Sequence, residues 1–500
     1  MPEDRIKLKR LMEWVKGKIS PRAFTHAALI LSAAWFLGVY PLLNLFHPSW
    51  LPERVRPYYC DFGQYYAGAM AAKQGIWECL YPTVNTAVYD AAPKFQPRFK
   101  TFLFDERNAK GNALFYPPIT NCGIFHPKLL KYCPELQTES YDSFRFMYPP
   151  PLALLLQPLA YFDFKTSAYH VWPILLMSAL FGLAYFSSRI HRLFRGGVSY
   201  TEGLILVAFL FASFLGHMGI AENNATPILG FLIVFSVYAW MKDWQCGVGI
   251  AMIPLVLFKA IGLNWCPLLL LRRIQWKTIL TSAFLTVLLN GLVIYLAGSG
   301  VYRTYFSDML PKLVMPVGCG VQALIFNTFG FCPTKTYLAL NLAVCFLLYY
   351  GYWKRWQTND SVDRRAVIAA TLAGTIAVFC LFNFSVQGHY FAPYLFFPFL
   401  GWVMWEAFQV RGRWHVGIIA GVAIGYIMTC DLLIRGAILY GLGRSCLLIY
   451  HEFTALIYAF FFPLFFLTVA FRRLYFAPPH SEHEAGKLNE VITTPPPAAF

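Results

Sequence analysis

Long apolar runs separated by short clusters of arginine and lysine organise this chain. Ala23 to Phe46, Gly203 to Ile220, Thr278 to Ala297 and Cys446 to Phe471 each approach the length of about 20 apolar residues that spans a bilayer core. The pattern predicts an all-α polytopic membrane protein. Its basic clusters fall at Arg5 to Lys18, Ser188 to Gly197, Met241, Arg272, Lys354 with Asp363, Arg411 and Phe471, and positive-inside asymmetry assigns them to the cytoplasm. Holding all of these on one side fixes the parity of the crossings between them. The first span leads out near Phe46, and a second, about Ser167 to Tyr185, returns. Tyr148 to Phe164, "YPPPLALLLQPLAYFDF", then cannot cross fully and reads as a proline-broken helix, embedded in the membrane or lying at its interface.

Gly203 to Ile220 and Pro227 to Trp240 form the next hairpin, with "AENNAT" (Ala221 to Thr226) as its outer turn. Between Lys242 and Arg272 both ends must again be inside. Arms of about 15 residues at 1.5 Å each reach roughly 22 Å, short of a 30 Å core. This short hairpin carries Lys259 at its apex. Thr278 to Ala297 leads out to a second external loop, and spans follow near Thr336 to Tyr352, Ala366 to Leu381, Phe391 to Phe408, Val416 to Cys430 and Cys446 to Ala470. The expectation is a bundle of about 12 transmembrane helices with both termini cytoplasmic. It divides into a basic N-terminus (1–22), a transmembrane domain (23–476) with external loops at about 47–166 and 298–335, and a disordered tail (477–500) rich in Pro, His and Glu.

Composition agrees: 58% of the 500 residues are apolar and 13% charged, against roughly 25% charged in a typical soluble chain. The net charge of +16 does not imply a nucleic acid, because the basic residues sit in short loops and orient the chain. The polar N-terminus is too long for a signal-peptide head, so the first span is expected to remain. Of the 12 cysteines, Cys60, Cys79, Cys122, Cys133, Cys319 and Cys332 fall in the external loops. Local disulfides Cys122 to Cys133 and Cys319 to Cys332 are consistent with an oxidising compartment. No CxxC, HExxH, P-loop or GxSxG motif occurs, so no metal, nucleotide or other cofactor is indicated.

Topology gathers four polar elements on the outer side: Asp61, the turn Glu222, Asn223 and Asn224, Lys259, and "NFSVQGHY" with His389 and Tyr390. In "YYCDFGQYYAGAMAAKQG" the residues Phe62, Tyr65, Tyr66, Ala69 and Met70 follow helical spacing, which predicts an amphipathic helix closed by Gly75. Asp61 falls at its N-cap. Its carboxylate either satisfies free backbone N–H groups or takes a proton from an acceptor hydroxyl. Lys259 either snorkels, pairs with the Glu222 turn, or binds phosphate. His389 is an interfacial residue or a donor to a leaving phosphate. Arg303, Lys312 and Lys335 read as solvated, and Asp431 with Arg435 as an intrahelical pair.

The runs "CDFGQYYAGAMAAKQG", "LYP" at Leu80, "YPPPLALLLQPLAYFDF", "PLVLFKAIGLNWCPLLLLRR" and "SVQGHYFAPYLFFP" resemble glycosyltransferase family 87, a GT-C membrane fold, from about Phe24 to Leu400. The resemblance implies inverting transfer of a hexose, mannose first, from a polyprenyl-phosphate donor to a glycolipid or glycan acceptor. The expected place is the periplasmic face of the inner (plasma) membrane. Asp61 would be the base, Lys259 and His389 would hold the donor phosphate, and Tyr65, Tyr66, Tyr148, Glu222, Asn223, Asn224 and Tyr390 would contact substrate. The chain departs from the family at "AENN", where Gly-Gln-x-Asn is usual. The alternatives are a flippase for a lipid-linked sugar, and the same fold acting on a pentose or aminosugar.

Overall fold

The computed structural model describes residues 60–81, 127–134, 146, 148–195, 224–259, 261–271, 275–309, 317–318, 334–355, 361–382, 385–386, 392–410, 412–429, 434, 438, 441–442 and 457–477. The expected span Ala23 to Phe46, the span Gly203 to Ile220, the chain termini and the Asp431–Arg435 pair lie outside these residues. Among the described residues, three helices are long and apolar enough to cross a membrane by length and composition: Trp172–Phe194, Trp276–Ala297 and Asp363–Phe382.

The first helix, α1 (Cys60–Gln74), is closed by Gly75 at φ +68°, a conformation that glycine adopts without steric cost. It starts at Cys60, so Asp61 stands within its first turn and not at the N-cap. It is also buried on every side from Phe62 to Ala72, where periodicity predicted one buried face. The reason is the small side opposite the rings, Ala67, Gly68, Ala71 and Ala72, which lets other elements pack closely. A Cβ on Gly68 would lie 2.4 Å from the Phe146 ring. Gly68→Val is therefore expected to destabilise the protein by about 1–3 kcal/mol through overpacking. Thermal unfolding in detergent reads this, and an unchanged midpoint would show that Phe146 yields freely.

The Tyr148–Phe164 stretch is broken as its prolines require. Helix α2 (Pro150–Leu156) begins with prolines in its first turn, passes into a 3-10 turn at Gln157–Tyr161, and ends in extended backbone at Phe162. Asp163 then caps the next turn, accepting from the Thr166 amide at 2.9 Å and the Thr166 hydroxyl at 2.6 Å. Those two bonds hold the exposed Asp163 carboxyl below the usual carboxylate range.

Helix α3 (Trp172–Arg195) is longer than the expected span and carries the basic segment through Arg195 as helix. Helix α4 (Thr226–Met241) packs along it, with the Phe186 ring against Phe231, Phe235 and Tyr238. Helix α5 (Gln245–Lys259) is followed by a 3-10 turn (Ile261–Trp265) and the short return helix α6 (Cys266–Leu271). The short hairpin is thus present, with a return arm even shorter than expected. Its apex is tied to the bundle by Trp265, whose indole N–H donates to the Thr375 hydroxyl at 3.0 Å. Tyr349 adds a bond to the Asn264 carbonyl.

Helix α7 (Trp276–Ala297) packs chiefly on α5 and is hardly buried, whereas α9 (Ser361–Phe382) is buried along most of its length. Small residues account for the central place of α9. A Cβ at Gly374 would lie within 2.8 Å of Leu348 on α8 (Thr334–Arg355) and 3.3 Å of Ala470 on α12 (Phe462–Phe471). Helices α10 (Phe397–Gln409) and α11 (Arg413–Thr429) complete the described bundle.

Several helix ends that carry basic residues meet at one end of the bundle. Arg473 pairs with Asp363 and, at 3.3 Å, with Glu406; Arg472 reaches Glu406 at 3.0 Å. The indole of Trp402 donates to Glu406 at 3.2 Å. Arg365 donates to the Leu193 carbonyl, and Arg355 to the carbonyls of Leu474 and Ala477. These contacts join α3, α8, α9, α10 and the end of α12.

Candidate active site

At the opposite end, α1 lies in a cluster of rings built from distant parts of the chain. Phe62 packs on Phe164 and Trp172, and Tyr66 packs edge-on against Phe164. Tyr65 sits among Tyr148, Trp172 and Phe258, with centroids 5.6, 5.1 and 6.1 Å away. The aromatic face of α1 is therefore turned into the protein, where edge and tilted contacts add to area burial.

Hydrogen bonds fix the same arrangement. The hydroxyls of Tyr65 and Tyr148 are 3.2 Å apart, and Tyr66 donates to the Phe162 carbonyl at 2.8 Å. Lys73 donates to the Ala160 carbonyl at 2.7 Å. Tyr81, from the "LYP" stretch, donates to the Tyr148 carbonyl. Burial, and then neighbouring Tyr305 and Tyr302, push the Tyr81 hydroxyl well above its usual value, so it remains a donor. Burial also pushes Tyr305 up to about 12.

The ring of Tyr305 packs at a tilt on Tyr81, with centroids 5.6 Å apart, joining the segment after α7 to the "LYP" stretch. Further along, β1 (Val317–Gly318) pairs in parallel with β2 (Ser385–Val386). His389 and Tyr390 follow β2 but lie outside the described residues, as do Glu222 and Asn223.

Asp61 occupies the first turn of α1, one turn before Tyr65, and Lys259 ends α5 directly after Phe258. The backbone thus brings both to the margins of one ring cluster, since Phe258 touches Tyr65 and Tyr148. Asn224 is buried, and its side-chain oxygen accepts from the Thr226 amide at 2.8 Å and hydroxyl at 2.6 Å, closing an Asx turn just ahead of α4. Arg303 and Lys335 are exposed, and Lys312 lies outside the described residues. Cys79 and Cys133 are buried; Cys122, Cys319 and Cys332 lie outside. Residue-by-residue reading passed over Tyr81, Trp172, Phe258 and Tyr305. The "LYP" run around Tyr81 and the position of Phe258 beside Lys259 were the available signals.

Residues 146–382 match the model of Glycosyltransferase family 87. The match indicates an integral membrane glycosyltransferase, with a sugar donor and an acceptor as its substrates. The matched stretch contains Tyr148, the Glu222–Asn224 turn and Lys259, and is narrower than the resemblance read from Phe24 to Leu400. Asp61, Tyr65, Tyr66, His389 and Tyr390 fall outside it. No curated protein and no solved structure matches the chain.

Proposed function

We propose that the protein is an inverting glycosyltransferase of about twelve transmembrane helices. In this reading it moves a hexose, mannose first, from a polyprenyl-phosphate donor to an acceptor hydroxyl at the extracytoplasmic face. The observation that supports this most is the meeting of the α1 first turn and the α5 terminus at one aromatic cluster, at the end of the bundle opposite the basic residues.

In this scheme the acceptor oxygen attacks the anomeric carbon as the bond from that carbon to the phosphate oxygen breaks. Asp61 takes the hydroxyl proton, and the helix N-terminus favours the charged, basic form of its carboxylate. Lys259 and His389 offset the charge of the departing polyprenyl phosphate. Holding the two substrates in line supplies much of the remaining acceleration. Glu222, Asn223 and Tyr390 are left as substrate contacts, while the Asn224 side-chain oxygen is engaged by Thr226.

The test is transfer by purified protein in nanodiscs from synthetic polyprenyl-phosphate mannose, glucose, arabinose and an aminosugar, each with a mixed glycolipid acceptor pool. Turnover with a hexose donor is expected. Transfer from the pentose or aminosugar alone would replace the sugar assignment. Movement of the lipid-linked sugar between leaflets with no product would replace the reaction.

A further inference from the structure

Helix α1 is held to the 146–162 segment at several points, and these differ in what they can control. Lys73 to Ala160 and Tyr66 to Phe162 join it to the 3-10 turn and the chain just beyond. The Tyr65 and Tyr148 hydroxyls meet nearer the start of α1, one turn after Asp61. Tyr148 makes a rigid post. Three prolines follow it, each with φ restrained by its ring, its carbonyl accepts from Tyr81, and its ring is wedged against Phe146 and Phe258.

Both tyrosines are buried, Tyr65 at 1% and Tyr148 at 8% exposure. Separating two buried hydroxyls without new partners is costly, so the pair resists sliding. Phe258 contacts both rings, and the residue after it is Lys259. We infer that the Tyr65–Tyr148 hydroxyl pair is a positioning contact that sets the first turn of α1, with Asp61, against the Lys259 end of α5. This rests on the proposed transferase reading and assigns the two tyrosines to geometry, not to contact with the sugar.

Tyr65→Phe and Tyr148→Phe each keep the ring and remove one hydroxyl. Each is expected to lower kcat about five- to tenfold with donor KM unchanged. The double variant should be no slower than either single, because both remove the same contact. Lys73→Met, which loosens the far end of α1, should leave kcat within about twofold of wild type. Hydrogen exchange of the amides in 60–66, measured without substrate, should quicken equally in both single variants and in the double, and stay unchanged in Lys73→Met.

A rise in donor KM at constant kcat would overturn the inference in favour of substrate contact. Unchanged exchange in both Phe variants would also overturn it, as would a loss of folded yield with kcat per folded molecule intact. If the exchange changes appear but wild-type protein transfers no sugar from any donor, the contact stands and the transferase reading falls.

Discussion

Asp61→Asn is expected to lower sugar transfer about 10²–10⁴-fold, the usual range for loss of a general base. Asparagine keeps the size and hydrogen-bonding oxygen of the side chain but removes its ability to take the acceptor proton. Donor KM should change little, because the phosphate is assigned to the α5 side of the site. The measurement is initial-rate transfer from the best donor at saturating acceptor, with folding checked by size-exclusion elution and thermal unfolding. Asp61→Glu should recover a fraction of the rate by placing a carboxylate about one methylene too far. Transfer within about threefold of wild type in folded Asp61→Asn would remove Asp61 from the chemistry.

The second large effect is at the basic end. Glu406 is fully buried and serves Arg472, Arg473 and Trp402 together. Removing it leaves the 3%-exposed Arg473 to Asp363 and takes from Arg472 the carboxylate it pairs with. Breaking a buried ion pair from one side costs about 3–5 kcal/mol, so Glu406→Leu should unfold at much lower temperature in detergent and give little folded protein. Arg473→Met should do the same. Glu406→Leu with Arg473→Met should lose less than the sum of the two, since the Arg473–Glu406 pair that each single variant breaks is lost only once. Additive losses would show that the cluster does not act as a unit.

These two sites differ in how far they could be read from the chain. Parity of the basic segments led to the expectation that their helix ends share one side, and the contacts of Arg355, Arg365 and Arg473 join four such ends. The broken helix at Pro150 and the short α5 arm were legible because proline chemistry and helix rise are local properties. The ion-pair cluster was not, because Asp363, Glu406 and Arg473 come from three helices, and their spacing in sequence says nothing of which faces meet. The burial of α1 was misjudged for a similar reason. The spacing of Phe62, Tyr65, Tyr66, Ala69 and Met70 predicted one buried face, but the alanines and glycine opposite are what a close-packed helix presents. Tyr65 and Tyr148 are 83 residues apart, and only the folded chain shows that their hydroxyls touch.

Helix α7 stands apart from this economy of contacts. Leu280, Phe284 and Leu288 on it are all largely exposed, so its composition answers to the surrounding hydrocarbon more than to its neighbours. Exchange among aliphatic residues there would pass almost unnoticed, whereas a lysine at its middle would cost about 2.5–3.5 kcal/mol. A version of this protein adapted to a thicker bilayer would first be lengthened along that helix.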